Sequence, residues 1–240
     1  MTESDAFSQM ANELLGVKLS AHQIEAFDWY AKELCSWNQR FNLTAITDPT
    51  EIYIKHFIDS LSCLLIEGFR PPGKVIDVGT GAGFPGIPIK IVYPQFQMTL
   101  VESIGKKLEF CRHVCISLGL EGIDFVQARA EHLGRDGAYR EQYDWALARA
   151  VAVLPVLVEY LLPFLKLGGE GIVQKGETGP AETHSAETAL VILGGEIKQV
   201  VPVELPRVAE TRYIIAVDKI ARTPEKYPRK PGIPAKRPLR

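Results

Sequence analysis

The sequence predicts an α/β protein: a mostly parallel sheet with helices on both faces, preceded by a helical region and closed by an antiparallel pair of strands. Three observations carry this expectation. Short apolar runs alternate with helical patterns through residues 74–176. These runs are continuously apolar, as strands covered on both faces must be. The first of them, KVIDVG, empties into a glycine-rich turn, GTGAGFPG, and such sheets bind ligands at the carboxyl ends of their strands.

In chain order, the first marked helix opens at Ser20 with Gln23 three positions on, a capping-box pattern. Ile24, Phe27, Tyr30 or Ala31, Leu34, Trp37 and Phe41 then recur at helical spacing. A second helix runs from about Thr50 through IYIKHFIDSLSCLLI. These make residues 1–72 a helical region, and GFRPPGK, Gly68 to Lys74, is a hinge-like break after it. Strands follow at KVIDVG, Met98 to Ser103, Ile123 to Ala128, Asp144 to Ala150 and Glu170 to Gly176, with helices at Lys106 to Leu118 and Leu154 to Leu167. EIKQVVPVEL and RYIIAVDKI lie too close in sequence for a crossover helix and should pair antiparallel. The main domain is thus expected over residues 73–220, and residues 221–240 form a basic, Pro-rich arm whose five prolines favour an extended course over a helix.

With 46% hydrophobic and 23% charged residues, the chain has the composition of a globular, water-soluble protein. Its start, MTESDAFSQM, is acidic where a signal peptide would be basic. The most apolar stretch, Val151 to Leu165, contains Glu159 and two prolines and falls short of the roughly 20 residues a membrane helix needs. Four cysteines without a framework spacing point to a reducing compartment, so a cytoplasmic location away from membranes is expected. Charge is unevenly placed. From Lys219 to Arg240 eight Lys or Arg stand against one acid, whereas the preceding residues carry 19 basic and 28 acidic groups. A basic segment on an acidic body is suited to a polyanion, because phosphate contacts release counterions.

The glycine turn sets a choice among nucleotides. A dinucleotide fingerprint wants glycine or alanine at position 84, where this chain has Phe84. The turn also lacks the Lys-Ser/Thr ending of a phosphate-binding P-loop. Asp77, just before the first glycine, would repel a pyrophosphate and suit a cationic or amine-bearing ligand. Glu102 ends the second strand, 19 residues after Gly83, placed to accept hydrogen bonds from ribose hydroxyls. An acid, Gly79-x-Gly81-x-Gly83, then a second-strand acid suits S-adenosylmethionine, which has a ribose, an amino-acid tail and a sulfonium but no phosphate.

These residues, together with Trp37 to Thr44 (WNQRFNLT), His56 to Leu61 (HFIDSL), FPG after the glycines, Ala148-Arg149-Ala150, Lys175-Gly176 and the closing TPEKYPRKPGIPAKRPL, resemble those of the small-subunit ribosomal RNA methyltransferase G family, also called glucose-inhibited division protein B. The resemblance covers nearly the whole chain. It implies a Rossmann-like, seven-stranded methyltransferase sheet that uses S-adenosylmethionine to methylate N7 of a guanine in bacterial 16S rRNA, free or in a small-subunit assembly intermediate. It places cofactor contacts on Gly79, Phe84, Ala130, Glu131 and Arg149. Arg149 and Lys175 are the candidates for positioning the base or its phosphates, and no metal is implied. The oligomeric state is left open.

The residues fit that reaction. N7 of guanine is a lone-pair acceptor with no proton to lose, so no general base is required. The fourth strand ends in ARAV, without the Asn/Asp-Pro-Pro-aromatic run of adenine-amino methyltransferases, and none of Cys35, Cys63, Cys111 and Cys115 stands there as a nucleophile. Tyr227 in the arm is free either to stack on a base or to pack on its own domain. Cys111, His113 and Cys115 share a helix at spacings unsuited to a metal, His56 and Asp59 at i, i+3 suit either a polar pair near the cofactor pocket or a helical hydrogen bond without catalytic duty, and Trp37 and Phe41 read as core. Two alternatives stay open: a small-molecule methyltransferase of the same fold, and a non-catalytic ribosome-assembly factor.

Overall fold

Ser20 caps its helix as the sequence requires: its side chain accepts from the Gln23 N–H while the Gln23 side chain returns to the Ser20 N–H. The computed structural model describes residues 3–239. Met1, Thr2 and Arg240, the outermost residues of the expected N-terminal region and arm, lie outside the described residues. The capped helix is α2 (Ala21–Phe41), and α1 (Glu3–Leu15), which the sequence pattern does not mark off, precedes it. Next comes one long helical segment whose geometry changes along its length. It begins as α3 (Pro49–Ile52), widens to a π-helix (Tyr53–Ile58), returns as α4 (Asp59–Leu61) and tightens to a 3-10 turn (Ser62–Leu65).

The remaining chain alternates strands and helices: β1 (Lys74–Val78), α5 (Gly86–Val92), β2 (Gln97–Glu102), α6 (Gly105–Ser117), β3 (Ile123–Gln127), α7 (Ala130–Leu133), β4 (Tyr143–Arg149), α8 (Leu154–Leu161), β5 (Leu165–Lys175), α9 (Gly179–Leu193), β6 (Gly195–Val203), β7 (Arg212–Lys219) and α10 (Ile233–Lys236). The sheet has seven strands in the order β3-β2-β1-β4-β5-β7-β6. Strands β1 to β5 are parallel, and β7 runs antiparallel between β5 and β6. The chain reverses its direction across the sheet between β1 and β4, the switch point where open α/β sheets leave a crevice at their carboxyl ends.

Within the sheet domain two elements differ from the sequence-based expectation. The helix expected to reach Leu167 stops at Leu161 and passes through a 3-10 turn, because Pro163 has no N–H to extend it; β5 therefore starts at Leu165, five residues early. Helix α9 was not anticipated. Its buried face uses mainly small residues, Ala186 and Ala189 beside Leu190 and Leu193, which give little periodic signal.

Helices α1, α2 and the π-helical segment are not set apart from the sheet. Phe7, Phe27, Tyr30 and Phe57 form one buried cluster with Phe84, Leu100 and Leu147. The C-terminal segment is likewise packed down. Tyr227 is buried in the cluster on the opposite face of the sheet, beside Tyr160 and Leu161. The extended arm expected from five prolines is thus a folded strap, and Tyr227 packs on its own domain.

Candidate functional site

The turn after β1 is built by its acid. Asp77 is fully buried, and its Oδ2 accepts from the Thr80 hydroxyl at 2.7 Å and the Gly86 N–H at 2.9 Å, tying the strand end to the first turn of α5. Burial pushes its carboxyl up to about 6 against the pull of those two hydrogen bonds. Gly83 has φ +98, and a Cβ there would lie 2.4 Å from Ile87 and 2.6 Å from the Tyr30 hydroxyl. Only glycine fits. Asp77 thus organises the loop, a role that ligand-centred reasoning about its charge did not bring out.

Beside this turn lies a pocket. Val78 and Gly79 come from the end of β1, Glu102 and Ser103 from β2, Arg129 to Glu131 from the β3–α7 junction, and Val151 and Ala152 from the loop after β4. Gly79, Glu102, Ala130 and Glu131, four of the six residues expected to touch a cofactor, meet here. Glu102 is buried; its Oε2 accepts from the Gly81 N–H at 3.1 Å and its Oε1 from the Ile104 N–H at 2.9 Å. Glu131 is also buried, and its Oε1 accepts from the Gly232 N–H at 2.9 Å. Two buried carboxylates are a poor lining for a pyrophosphate and a suitable one for a phosphate-free nucleoside carrying positive charge. The donor set therefore fits S-adenosylmethionine, with Glu102 available to the ribose hydroxyls.

Phe84 and Arg149, the other two, stand elsewhere. Phe84 turns toward the helical region, stacked on His56 at 4.5 Å and on Tyr30 at 5.4 Å, with the Arg149 guanidinium 4.8 Å from its ring centre. Arg149 lines a second cleft with Lys55, His56, Asp59, Ala150 and Arg212. Its Nη1 donates to Asp59 Oδ2 at 3.0 Å and to the Lys55 carbonyl at 3.2 Å, and its Nη2 approaches His56 Nδ1 at 3.2 Å. With Nδ1 accepting, the ring N–H is on Nε2, 2.8 Å from the Thr44 hydroxyl. Burial, and then the charge of Arg149, hold the imidazole down at about 3, so it is neutral. Asp59 is shared: Arg212 Nε lies 3.3 Å from its Oδ1. Gln174 on β5 donates to the Asp59 carbonyl.

Consecutive residues join the two clefts. Arg149 and Ala150 line the second, Val151 and Ala152 the first. Ala150 makes the turn with φ +55, an uncommon conformation for a residue with a Cβ. Lys175, expected as a positioning cation, instead holds this loop. Its Nζ donates to the Ala152 carbonyl at 2.8 Å and pairs with Glu182 at 2.7 Å, and Glu182 also accepts from the Leu154 N–H. Burial opposes ionisation of Glu182, but the hydrogen bonds from Lys175, Thr178 and Leu154 outweigh it and lower its pKa. Sequence reasoning missed Arg212, Glu182 and Ala235, which come from the far end of the chain with no spacing signal, and left His56 and Asp59 open between a polar pair near the cofactor pocket and a plain helical hydrogen bond. His113 bonds Glu33 at 2.7 Å, and the Cys111 thiol donates to the Gly81 carbonyl. Trp37 and Phe41 pack at the margin of the core.

A seven-stranded sheet of this order, with a carboxylate-lined pocket at its switch point, fits the Rossmann-like S-adenosylmethionine-dependent methyltransferases. A solved structure described as a SAM-dependent methyltransferase from Aquifex aeolicus has the same fold, with a TM-score of 0.55 at 16% identity over 73% of this chain and 96% of that one. The family model for rRNA small subunit methyltransferase G matches residues 23–210. The chain is 50% identical over 224 residues to the ribosomal RNA small subunit methyltransferase G of Roseiflexus castenholzii, covering 93% of this chain and 95% of that protein. It is 46% identical over 226 residues to that of Alkaliphilus metalliredigens, covering 94% and 95%. This chain belongs to the rRNA small subunit methyltransferase G family.

Proposed function

We propose that this protein transfers a methyl group from S-adenosylmethionine to N7 of a guanine in 16S rRNA, with the donor in the Glu102–Glu131 pocket and the guanine in the Arg149–Asp59–Arg212 cleft. The observation that carries this reading is the shared loop. The two pockets are lined by successive residues, Ala150 in one and Val151 in the other, so one loop borders both ligands of the proposed reaction. The bound donor supplies an electrophilic methyl carbon on a sulfonium. Everything else falls to the protein, which must align acceptor and methyl at about 3 Å and keep water out.

The acceptor cleft has the chemistry that N7 needs. Methylation there removes no proton, so N7 asks no base of the cleft, and His56, kept at about 3, is too weakly basic to serve as one. The guanidinium of Arg149 is largely committed to Asp59 and to the carbonyls of the π-helical segment. Arg212 is more open, with its side chain 28% exposed, and supplies the donors for guanine O6. N7-methylguanine is cationic, and Asp59, sitting between both arginines, offsets the charge that develops beside them. The N7 edge lies in a deep, narrow groove of an A-form helix, so the base must be unpaired or splayed out to enter.

Incubation with labelled S-adenosylmethionine and 16S rRNA lacking the modification tests this. Digestion of the product is expected to yield labelled 7-methylguanosine. Label on any other nucleoside, or none on RNA, would sink the assignment.

A further inference from the structure

Residues 221–239 fold over the donor pocket while keeping a set of cations free. Two buried carboxylates hold them. Glu159, fully buried on α8, accepts from the backbone N–H of Arg229 at 2.8 Å and from its guanidinium at 2.6 Å. Glu131, a lining residue of the donor pocket, accepts from the Gly232 N–H. From the other side Arg135 donates to the Pro228 carbonyl at 2.7 Å, and Arg140 donates to the carbonyls of Thr223 and Tyr227 at 2.7 and 2.9 Å. Past Gly232, helix α10 brings Ala235 to the pocket as part of its wall. Lys226, Lys230, Lys236 and Arg237 are exposed and form no ion pair among the described residues, and the same holds for Arg129 on the pocket lining.

We propose that this strap is a clasp shared by the two substrates: its inner side, through Gly232 and Ala235, completes the donor site, and its outer cations bind the phosphates of the RNA. The RNA half of this claim rests on the function proposed above. The physical link is Glu131. One carboxylate both lines the donor pocket and anchors the strap, so a donor that engages the pocket and an RNA that holds the strap favour the same closed arrangement. Each ligand holds the strap in its docked position, so the one bound first favours the arrangement the second also needs, and the second binds more tightly. Neither the donor pocket nor the cations would suffice alone. A tail placed only for solubility would have no reason to commit two buried carboxylates to its backbone N–H groups.

Two variants test the clasp, with S-adenosylhomocysteine affinity measured by calorimetry. A chain ended after Pro231 keeps the Arg229–Glu159 anchor and loses Gly232 and Ala235. Its Kd for S-adenosylhomocysteine without RNA is expected to rise about tenfold, within the range of coupling between sites. An unchanged Kd in a folded chain, judged by circular dichroism, overturns the proposal. The triple variant Lys230→Ala/Lys236→Ala/Arg237→Ala alters only exposed side chains and decides the matter should the shortened chain fail to fold. Unmodified 16S rRNA is expected to tighten S-adenosylhomocysteine binding about fivefold in the natural protein and not in this variant, whose Kd without RNA stays within twofold. A natural protein that methylates RNA but binds S-adenosylhomocysteine equally with and without it refutes the clasp and leaves the proposed function standing. One that binds no 16S rRNA refutes the function and, with it, the outer half of the clasp.

Discussion

Asp77 Oδ2 is doubly hydrogen-bonded, but its Oδ1 is buried with no partner among the described residues. A carboxylate in that position resists ionisation, and burial raises its carboxyl from 3.8 to about 6. The sign of the consequence follows from proton binding. Between those two values the folded protein binds more protons at this site than the unfolded chain, so the stabilising contribution is complete below about pH 4 and is lost as pH rises through 6. A rise of that size corresponds to about 3 kcal/mol. Denaturant unfolding of the natural protein and of Asp77→Asn from pH 4 to pH 7 is expected to show the natural protein losing that much relative to the variant, which carries no titrating group there. Parallel stability curves for the two proteins would mean that Asp77 is solvated or paired in solution. An acid ahead of a glycine loop is legible from the sequence; its use as the loop's own scaffold is not, because that depends on the Thr80 hydroxyl and the Gly86 N–H arriving at one oxygen.

The π-helical stretch Tyr53–Ile58 is the element that shapes the cleft proposed for the guanine. A π-turn leaves carbonyls without their usual intrahelical partners, and such turns recur at functional sites. Here the carbonyls of Lys55 and His56 receive Arg149 Nη1 at 3.2 and 3.5 Å, and Asp59 one turn on completes the grip. A lysine at 149 would keep the charge but not the two-pronged reach by which Nη1 meets three oxygens while Nη2 meets His56 Nδ1. Arg149→Lys is therefore expected to lower kcat by about 100-fold, the order lost when a reacting group shifts by an ångström. The Kd for S-adenosylhomocysteine should remain within twofold, since Arg149 does not line the pocket proposed for the donor. The reverse pattern, intact kcat with weakened donor binding, would return Arg149 to the cofactor role implied by the family resemblance. At this scale the sequence is readable where local rules decide: the capped α2, the strand-turn-helix at Gly79–Gly86 and the closing antiparallel pair all follow from caps, glycines and short connections. It is unreadable where distant segments decide. IYIKHFID has the periodicity of any amphipathic helix, and only the arrival of Arg149 and Gln174 reveals why it is wound as a π-helix. The proline-rich strap reads as an extended arm because nothing in its own composition announces Glu159 and Glu131 waiting for it.

At the scale of the whole molecule, the break at residues 68–74 suggests a helical unit joined to a separate sheet domain, whereas the packing argues for a single cooperative body. Phe7, Phe27, Tyr30 and Phe57 are each 0% exposed, and they bury one another against Phe84, which belongs to the glycine turn. The sheet thus donates its ligand-binding loop to a core completed by the N-terminal helices. Full burial of a large apolar side chain contributes roughly 1.5–3 kcal/mol, so these four alone contribute about 6–12 kcal/mol. A domain's entire stability is of order 5–15 kcal/mol. Removing residues 1–72 would expose Phe84, against which Tyr30, His56 and Phe57 pack. We expect the fragment 73–240 to lack a cooperative thermal transition and near-ultraviolet dichroism, and to bind neither S-adenosylhomocysteine nor RNA, although it retains every strand and all of the donor-pocket residues. The full chain should instead melt in one transition with calorimetric and van't Hoff enthalpies equal. A fragment that melts cooperatively and binds S-adenosylhomocysteine as tightly as the full chain would show that the break is a true domain boundary and that the aromatic cluster only docks an accessory element.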